Sequence, residues 1–342
     1  MPRNDGVPAL GVVAIGRNEG ERLVRCLESA RAQCPAVVYV DSGSKDRSVE
    51  AARSLGVEVV ELDLAVPFTA ARARNEGLRR LKELHPGTEF VQFVDGDCEL
   101  RPEWIPSALA AIRKEPSVAV VCGRRRERFR DETVYNRLCD LEWDTPVGEA
   151  EACGGDALMR VRALDEVRGF DPRLIAGEEP DLCFRLRGRG HKIVRIDAEM
   201  TLHDAAMRRA SQWWRRMVRS GYAAAESVGR RGLSASATDR RGVRGVAVWI
   251  AGLPAATACA WFALREIDWP HPVLSALALA ALAVAAQTAR IAWNKARDGA
   301  SGPDARLYAV SCMAAKLPQC AGVLQYAGNR LCGSTPELIE YK

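Results

Sequence analysis

Two stretches of this chain carry no charged residue: Gly245–Leu264, 20 residues, and Trp269–Ala289, 21 residues. At about 1.5 Å rise per residue, each one as a helix covers the roughly 30 Å hydrocarbon core of a bilayer. Backbone polar groups have no partners in lipid, so an immersed stretch has to be helical. A net-acidic turn, Arg265-Glu-Ile-Asp268, separates the two. Arg230, Arg231, Arg240, Arg241 and Arg244 precede the pair, and Arg290, Lys295 and Arg297 follow it. Lys and Arg concentrate on the cytosolic ends of membrane helices, so this bias predicts a hairpin with both outer ends in the cytosol. Trp261 and Trp269 flank the turn, with Trp249 and Trp293 near the opposite ends, as interfacial tryptophans do. The alternative is a buried soluble pair of alanine-rich helices, which the length, the charge bias and the tryptophans together disfavour.

A third apolar stretch, Leu307–Ala327, is interrupted by Lys316 and Pro318. It is expected to lie in the interface rather than to cross. The mean hydropathy of −0.15 is thus an average over two unlike parts.

Before residue 240 the pattern changes. Short apolar runs alternate with helical periodicity: Gly11–Ile15, then Arg22–Ala32; Val37–Val40, then Lys45–Leu55 capped by Ser44 or Asp46; Val57–Leu62, then Arg72–Leu84; Phe90–Val94, then Pro102–Lys114; and Val118–Cys122. Strands alternating with amphipathic helices predict an α/β fold with a mostly parallel sheet flanked by helices. Ligands of such sheets bind outside the carboxyl ends of the strands. Asn18, Asp41, Asp95 and Asp97 each follow a strand end, so polar groups from distant sequence converge on one edge.

The net charge of +5 is mild and argues for no nucleic-acid partner. Eleven cysteines form no CxxC pair and only four histidines accompany them, a spacing that argues against zinc and for reduced, buried thiols. Residues 1–10 contain no apolar run of a signal peptide, so the N-terminal part is expected to stay in the cytosol.

Several residue groups carry chemistry. Asp95-Gly-Asp97 places two carboxylates at a strand-to-loop corner, suited to a hard divalent cation and to half-exposed turn aspartates alike. Asp41 precedes Ser42-Gly43-Ser44, where it either accepts from a ribose or base or caps the next helix. Glu178 and Glu179 open a helix, where the dipole favours acidic residues and where one carboxylate is placed to act as a general base. Gly155 and Asp156 allow backbone to approach a sugar. Gln212-Trp-Trp-Arg215-Arg216 sits on a basic helix with tryptophans, which fits either lipid headgroups or a substrate. The basic run Arg124–Arg130 reads as a solvated edge.

Taken in order, Ile15-Gly16-Arg-Asn18-Glu19, Asp41-Ser-Gly-Ser-Lys-Asp46, Arg74-Asn75-Glu-Gly77, Asp95-Gly-Asp97, Gly154-Gly155-Asp156, Gly169-Phe-Asp171 and Gly177-Glu-Glu-Pro-Asp-Leu-Cys-Phe-Arg resemble a family 2 glycosyltransferase of the GT-A fold. The likeness spans about residues 10 to 230. It implies a GT-A nucleotide-diphospho-sugar transferase with C-terminal membrane-associated helices. It also implies an inverting reaction, a UDP-sugar foremost as donor, and Mg2+ or Mn2+ as cofactor. By match, Gly16, Asn18, Glu19 and Asp41 would line the nucleotide, with Arg74, Asn75, Gly155 and Asp156 on the donor side. Asp95 and Asp97 would be the ribose and metal carboxylates, with His203 beside the metal. Gln212 and Arg215 match the QxxR of processive relatives, but Arg216 replaces the following tryptophan, so a single addition is expected. Glu179 stands at the catalytic aspartate of the family's ED motif and Glu178 before it; which of the two is the base stays open. The family's proline two residues before the asparagine is Gly16 here, and its second acidic residue after strand two is Ser42.

The expected organisation is a tail, 1–9; a catalytic domain, 10–204; a basic interface helix and linker, 205–244; a transmembrane hairpin, 245–289; and an interfacial helix with tail, 290–342. The expected activity is sugar transfer to a lipid-linked or glycan acceptor at the cytosolic leaflet of the inner or cytoplasmic membrane. A nucleotidyltransferase acting on a sugar phosphate, or an inactive sugar-nucleotide binder, are the alternatives.

Overall fold

The computed structural model describes residues 9–333, which divide between Ala206 and Met207 into two units. Residues 1–8 of the expected tail and 334–342 of the C-terminal segment lie outside the described residues.

In the first unit the apolar runs are strands because both their faces are covered: every residue of Val37–Asp41 is buried, and Val12, Val13 and Ala14 are fully so. In chain order the elements are β1 (Leu10–Gly16), α1 (Glu21–Arg31), β2 (Val37–Asp41), α2 (Ser48–Ser54), β3 (Glu58–Glu61), α3 (Ala70–Leu84), β4 (Phe90–Asp95), β5 (Cys98–Leu100), α4 (Trp104–Lys114) and β6 (Val118–Glu127). Then follow α5 (Val134–Glu142), β7 (Gly148–Glu149), β8 (Ala157–Arg160), α6 (Val161–Glu166), α7 (Glu178–Arg187) and β9 (Lys192–His203). The sheet order is β3-β2-β1-β4-β8-β6-β9-β5, with β7 on β9.

The sheet is mixed rather than mostly parallel. β3, β2, β1 and β4 are parallel, but β8 runs antiparallel between β4 and β6, and β5 and β7 are antiparallel to β9. The four-residue β8 has no periodicity long enough to announce it. The parallel half aligns its carboxyl ends: Gly16 pairs with Asp41 and Ile15 with Asp95 in register. That register brings three chain-distant turns to one edge.

Leu23, Cys26, Leu27 and Ala30 form the buried stripe of α1, and the side chains of α4 include the buried Trp104, whose indole N–H donates to Gln92 at 2.7 Å. Each buried leucine stabilises the core by about 1.5–3 kcal/mol. The second helix starts later than its pattern predicts: Ser48 N–H donates to Asp46 Oδ1, while Ser44 is engaged in the β2 turn.

The second unit is helical: α8 (Ala210–Arg231), α9 (Ala237–Val246), α10 (Leu253–Glu266), α11 (Pro272–Arg297), α12 (Gly302–Ala314) and α13 (Lys316–Cys332). A π-helical turn, Ala247–Gly252, joins α9 to α10. Pro254 lacks the N–H that the Ile250 carbonyl would accept, and the ladder widens there instead of breaking. Three helical stretches, Ala237–Glu266, Pro272–Arg297 and Gly302–Cys332, are long and apolar enough to cross a membrane. The first two extend beyond the uncharged runs and carry the flanking arginines within the helix. The third breaks at Ala315, three residues before Pro318, and its apolar window is 22% buried against 6% in the others. Within this unit α8 and α13 cross closely: a Cβ on Gly221 would stand 2.1 Å from the Gln319 carbonyl oxygen, and one on Gly322 2.0 Å from that of Val218.

Candidate active site

The carboxyl edge of β1, β2 and β4 is where acidic residues collect. Asp41 is buried, and its own turn occupies both oxygens: Oδ2 accepts from Gly43 N–H at 2.9 Å and Ser44 N–H at 2.8 Å, and Oδ1 from the Tyr39 hydroxyl at 2.8 Å. Burial and the neighbouring Asp41 charge push the Tyr39 phenol up, so it stays a donor. Asn18, at φ 56°, ties the β1 turn to this one, donating its N–H to Ser44 Oγ at 2.9 Å and accepting from Lys45 N–H at 2.7 Å. Gly16 ends β1, and Glu19 is buried with Oε2 2.8 Å from the Arg22 guanidinium.

Arg74, from α3, is buried and reaches two carboxylates, Glu178 Oε1 and Asp95 Oδ1, each at 2.8 Å. Burial alone would lower its pKa, but Asp95 and Glu178 outweigh burial and raise it, so the charge is fixed. Its guanidinium also lies 5.5 Å from the Phe170 ring centroid. Asn75 is committed to backbone: Nδ2 donates to the Phe170 carbonyl at 2.8 Å and Oδ1 accepts its N–H at 2.9 Å. Gly169, at φ 66°, is needed there, since a Cβ would sit 2.6 Å from Asn75 Oδ1.

Asp156 is fully buried and holds the edge together. It accepts from Asp95 N–H at 2.9 Å and Thr201 Oγ1 at 3.0 Å, and pairs with Arg125 at 2.8 Å. Arg125 also donates to the Gly154 carbonyl at 2.9 Å, beside Gly155 at φ 97°. The run Arg124–Arg130 is therefore not a solvated edge: Arg124, Arg125 and Glu127 are buried because β6 continues through them, and only Arg126 of these four is exposed. Arg125 pairs with Asp156 and Glu127 with His203, contacts that a reading of the charge run as surface overlooks. Their counter-charges come from remote sequence.

Asp97 is buried with Oδ2 3.2 Å from His203 Nε2, and His203 Nδ1 lies 3.3 Å from Glu127 Oε2. Burial lowers the imidazole pKa, but Asp97 and Glu127 outweigh it and hold it above the ordinary histidine value. Asp97, Cys98 and His203 offer ligand atoms all within 4.8 Å of one another. This compact trio includes Cys98, which the sequence reading passed over, and does not include Asp95, whose Oδ1 is engaged by Arg74.

Glu178 and Glu179 begin α7, where Gly177 adopts the left-handed conformation and the helix dipole favours acid. They point to different partners. Glu178 takes Arg74, while Glu179 Oε1 accepts from Cys153 N–H and lies 3.2 Å from Cys183 Sγ. Gln212 and Arg215 are on α8 of the second unit, where Gln212 Oε1 closes the helix start on the Arg208 and Arg209 N–H groups at 2.9 and 3.0 Å.

A parallel half-sheet joined to a mixed half, with an acidic corner after β4, is the architecture of a GT-A glycosyltransferase. Residues 12–167 match the model of glycosyl transferase family 2. Over 206 residues the chain is 30% identical to the pre-mycofactocin glycosyltransferase of Mycobacterium tuberculosis, covering 56% of this chain and 42% of that protein. It thus spans less than half of that relative's length. Among solved structures, the fold is similar to a mannosyltransferase from Pyrobaculum calidifontis, solved with GDP-Man and Mn2+, at TM-score 0.58 and 17% identity over 95% of this chain and 88% of that one. It is also similar to S. aureus TarS, at TM-score 0.50 and 15% identity over 88% and 90%.

Proposed function

We propose that the protein is a membrane-held inverting glycosyltransferase. It moves a sugar from a nucleoside-diphosphate sugar, a UDP-sugar foremost, to one hydroxyl of a lipid-linked or glycan acceptor at the cytosolic leaflet. The observation that carries this is the convergence of Asp95, Arg74, Glu178 and the Asp97–His203 pair on one sheet edge of a family 2 domain.

The donors fit a divalent ion: a buried carboxylate and an imidazole in reach of one another, with Asp95 two residues away on the same corner. Asp97 and His203 would hold Mg2+ or Mn2+, which offsets negative charge on a departing diphosphate when bound. The remaining work belongs to the chain. Arg74 fixes Asp95 and ties α7 to β4. The turns holding Asn18 and Asp41 form the nucleotide side. Glu179 takes the proton of the acceptor hydroxyl as that oxygen attacks the anomeric carbon from the face opposite the diphosphate. One base and no covalent intermediate suffice for inversion.

Helices over Ala237–Glu266 and Pro272–Arg297 form the transmembrane hairpin in this reading. α12 and α13 lie in the interface, because α13 packs along α8, which carries Arg215, Arg216 and Arg219. A helix seated against that basic element does not sit in the hydrocarbon core.

The test is release of nucleoside diphosphate from a panel of sugar nucleotides, with membrane extract as acceptor. Glu179→Gln is expected to lower kcat by about 10²–10⁴-fold with little change in KM. Glu178→Gln is expected to act mainly on KM through Arg74. Pyrophosphate release from a nucleoside triphosphate and a sugar phosphate would instead establish a nucleotidyltransferase.

A further inference from the structure

Eleven cysteines without close spacing conceal a spatial pair. Glu179 and Cys183 stand four residues apart on one face of α7, and Cys153 comes to them from the loop before β8. The two sulfurs are 3.8 Å apart, Cys183 Sγ is 3.2 Å from Glu179 Oε1, and all three ligand atoms lie within 4.8 Å of one another. All three residues are buried.

We infer that Cys153, Cys183 and Glu179 form a binding site for one thiophilic divalent cation, zinc foremost, and that its occupation switches sugar transfer off. Two thiolates at about 2.3 Å from a tetrahedral ion stand about 3.8 Å apart, and a thiolate and a carboxylate oxygen about 3.6 Å. The sulfur pair already has that separation, and the carboxylate needs a few tenths of an ångström. Two thiolates select a soft ion over Mg2+ or Mn2+. The Cys153 N–H donates to Glu179 and so aims the carboxylate at the sulfurs, the outer support that metal ligands require. Gly154, next to Cys153, is exposed, so the site lies one residue from solvent. Each thiol releases its proton to solvent as the ion binds, leaving one position for water. The ion site stands on its own geometry; the switch rests on the reading of Glu179 as the base, because a coordinated carboxylate accepts no proton.

The experiment uses the full chain in detergent with Cys259, Cys312, Cys320 and Cys332 changed to serine, so that thiols of the second unit do not contribute. Cadmium is titrated in the presence of Mg2+. The expected result is a saturating thiolate-to-cadmium ultraviolet band that Cys183→Ala strips of most of its intensity, with affinity at this site reduced at least ~100-fold. A parent chain that shows no band overturns the site whether or not the variants fold, and so does a band that a folded Cys183→Ala leaves intact. Cys183→Ser is the second variant should alanine destabilise α7. For the switch, zinc is expected to inhibit Mn2+-supported transfer in the parent and not in Cys183→Ala. Equal inhibition of both assigns it to Asp97–His203 and overturns the switch. A band in a chain that transfers no sugar leaves the site standing and removes the glycosyltransferase reading instead.

Discussion

Arg74 stands between carboxylates from opposite parts of the domain, Asp95 at the end of β4 and Glu178 at the start of α7. Removing a buried partner leaves uncompensated charge, so Arg74→Ala is expected to cost about 3–5 kcal/mol, read as a lower midpoint in urea unfolding. Arg74→Lys keeps the charge but not the fork that spans two acceptors, and is expected to recover only part of that loss. Gly169→Ala is a second test. A Cβ at φ 66° meets Asn75, so the variant is expected to lower the thermal midpoint while Ala substitution at the exposed Gly190 turn, where the Cβ is unopposed, does so less. At this scale the sequence was half transparent. The acidic corner at Asp95–Asp97 and Glu178 were visible because a strand end and a helix start place them, and Arg74 only through the family resemblance. Their pairing was not, and Arg125 and Glu127 were misjudged. A run of like charges reads as surface until the strand through it and the counter-charge of Asp156 are known.

At the scale of elements, the parallel half-sheet was legible because β1, β2 and β4 are buried almost throughout and read as largely apolar runs. The antiparallel β8 was not, being four residues long and set between β4 and β6 by contacts that only the fold creates. Helix crossings were equally hidden. Gly221 and Gly322 let α8 and α13 approach until backbone meets backbone. A methyl group at either position has no flexible neighbour to displace. Gly322→Ala is therefore expected to destabilise the helical unit by about 1–3 kcal/mol, measured as aggregation temperature in detergent, whereas Gly328→Ala, with open space around it, is expected to be neutral or stabilising.

For the molecule as a whole, the distribution of charge changes near residue 240, whereas the two units divide between Ala206 and Met207, because the basic helix α8 groups with the apolar helices. The exposed apolar surface of α11, which includes Leu277, Leu279 and Leu282, is what lipid would cover. Leu279→Arg is expected to impair insertion by about 2.5–3.5 kcal/mol, seen as loss of the chain from floated membranes, while the same change at Leu233, ahead of the apolar helices, leaves flotation unchanged. The break at Ala315 falls where the sequence interrupts the third apolar stretch, at Lys316 and Pro318.

The Asp41 turn has one more consequence. With its carboxylate satisfied by Tyr39, Gly43 and Ser44, and with Asn18 fastened across to Ser44 and Lys45, this loop is ordered by folding itself. Ordering a residue's backbone costs about 1–2 kcal/mol of conformational entropy. Here that cost is met before any nucleotide arrives, so an Asp41→Ala chain should bind one with a larger entropic penalty and not merely with one contact fewer.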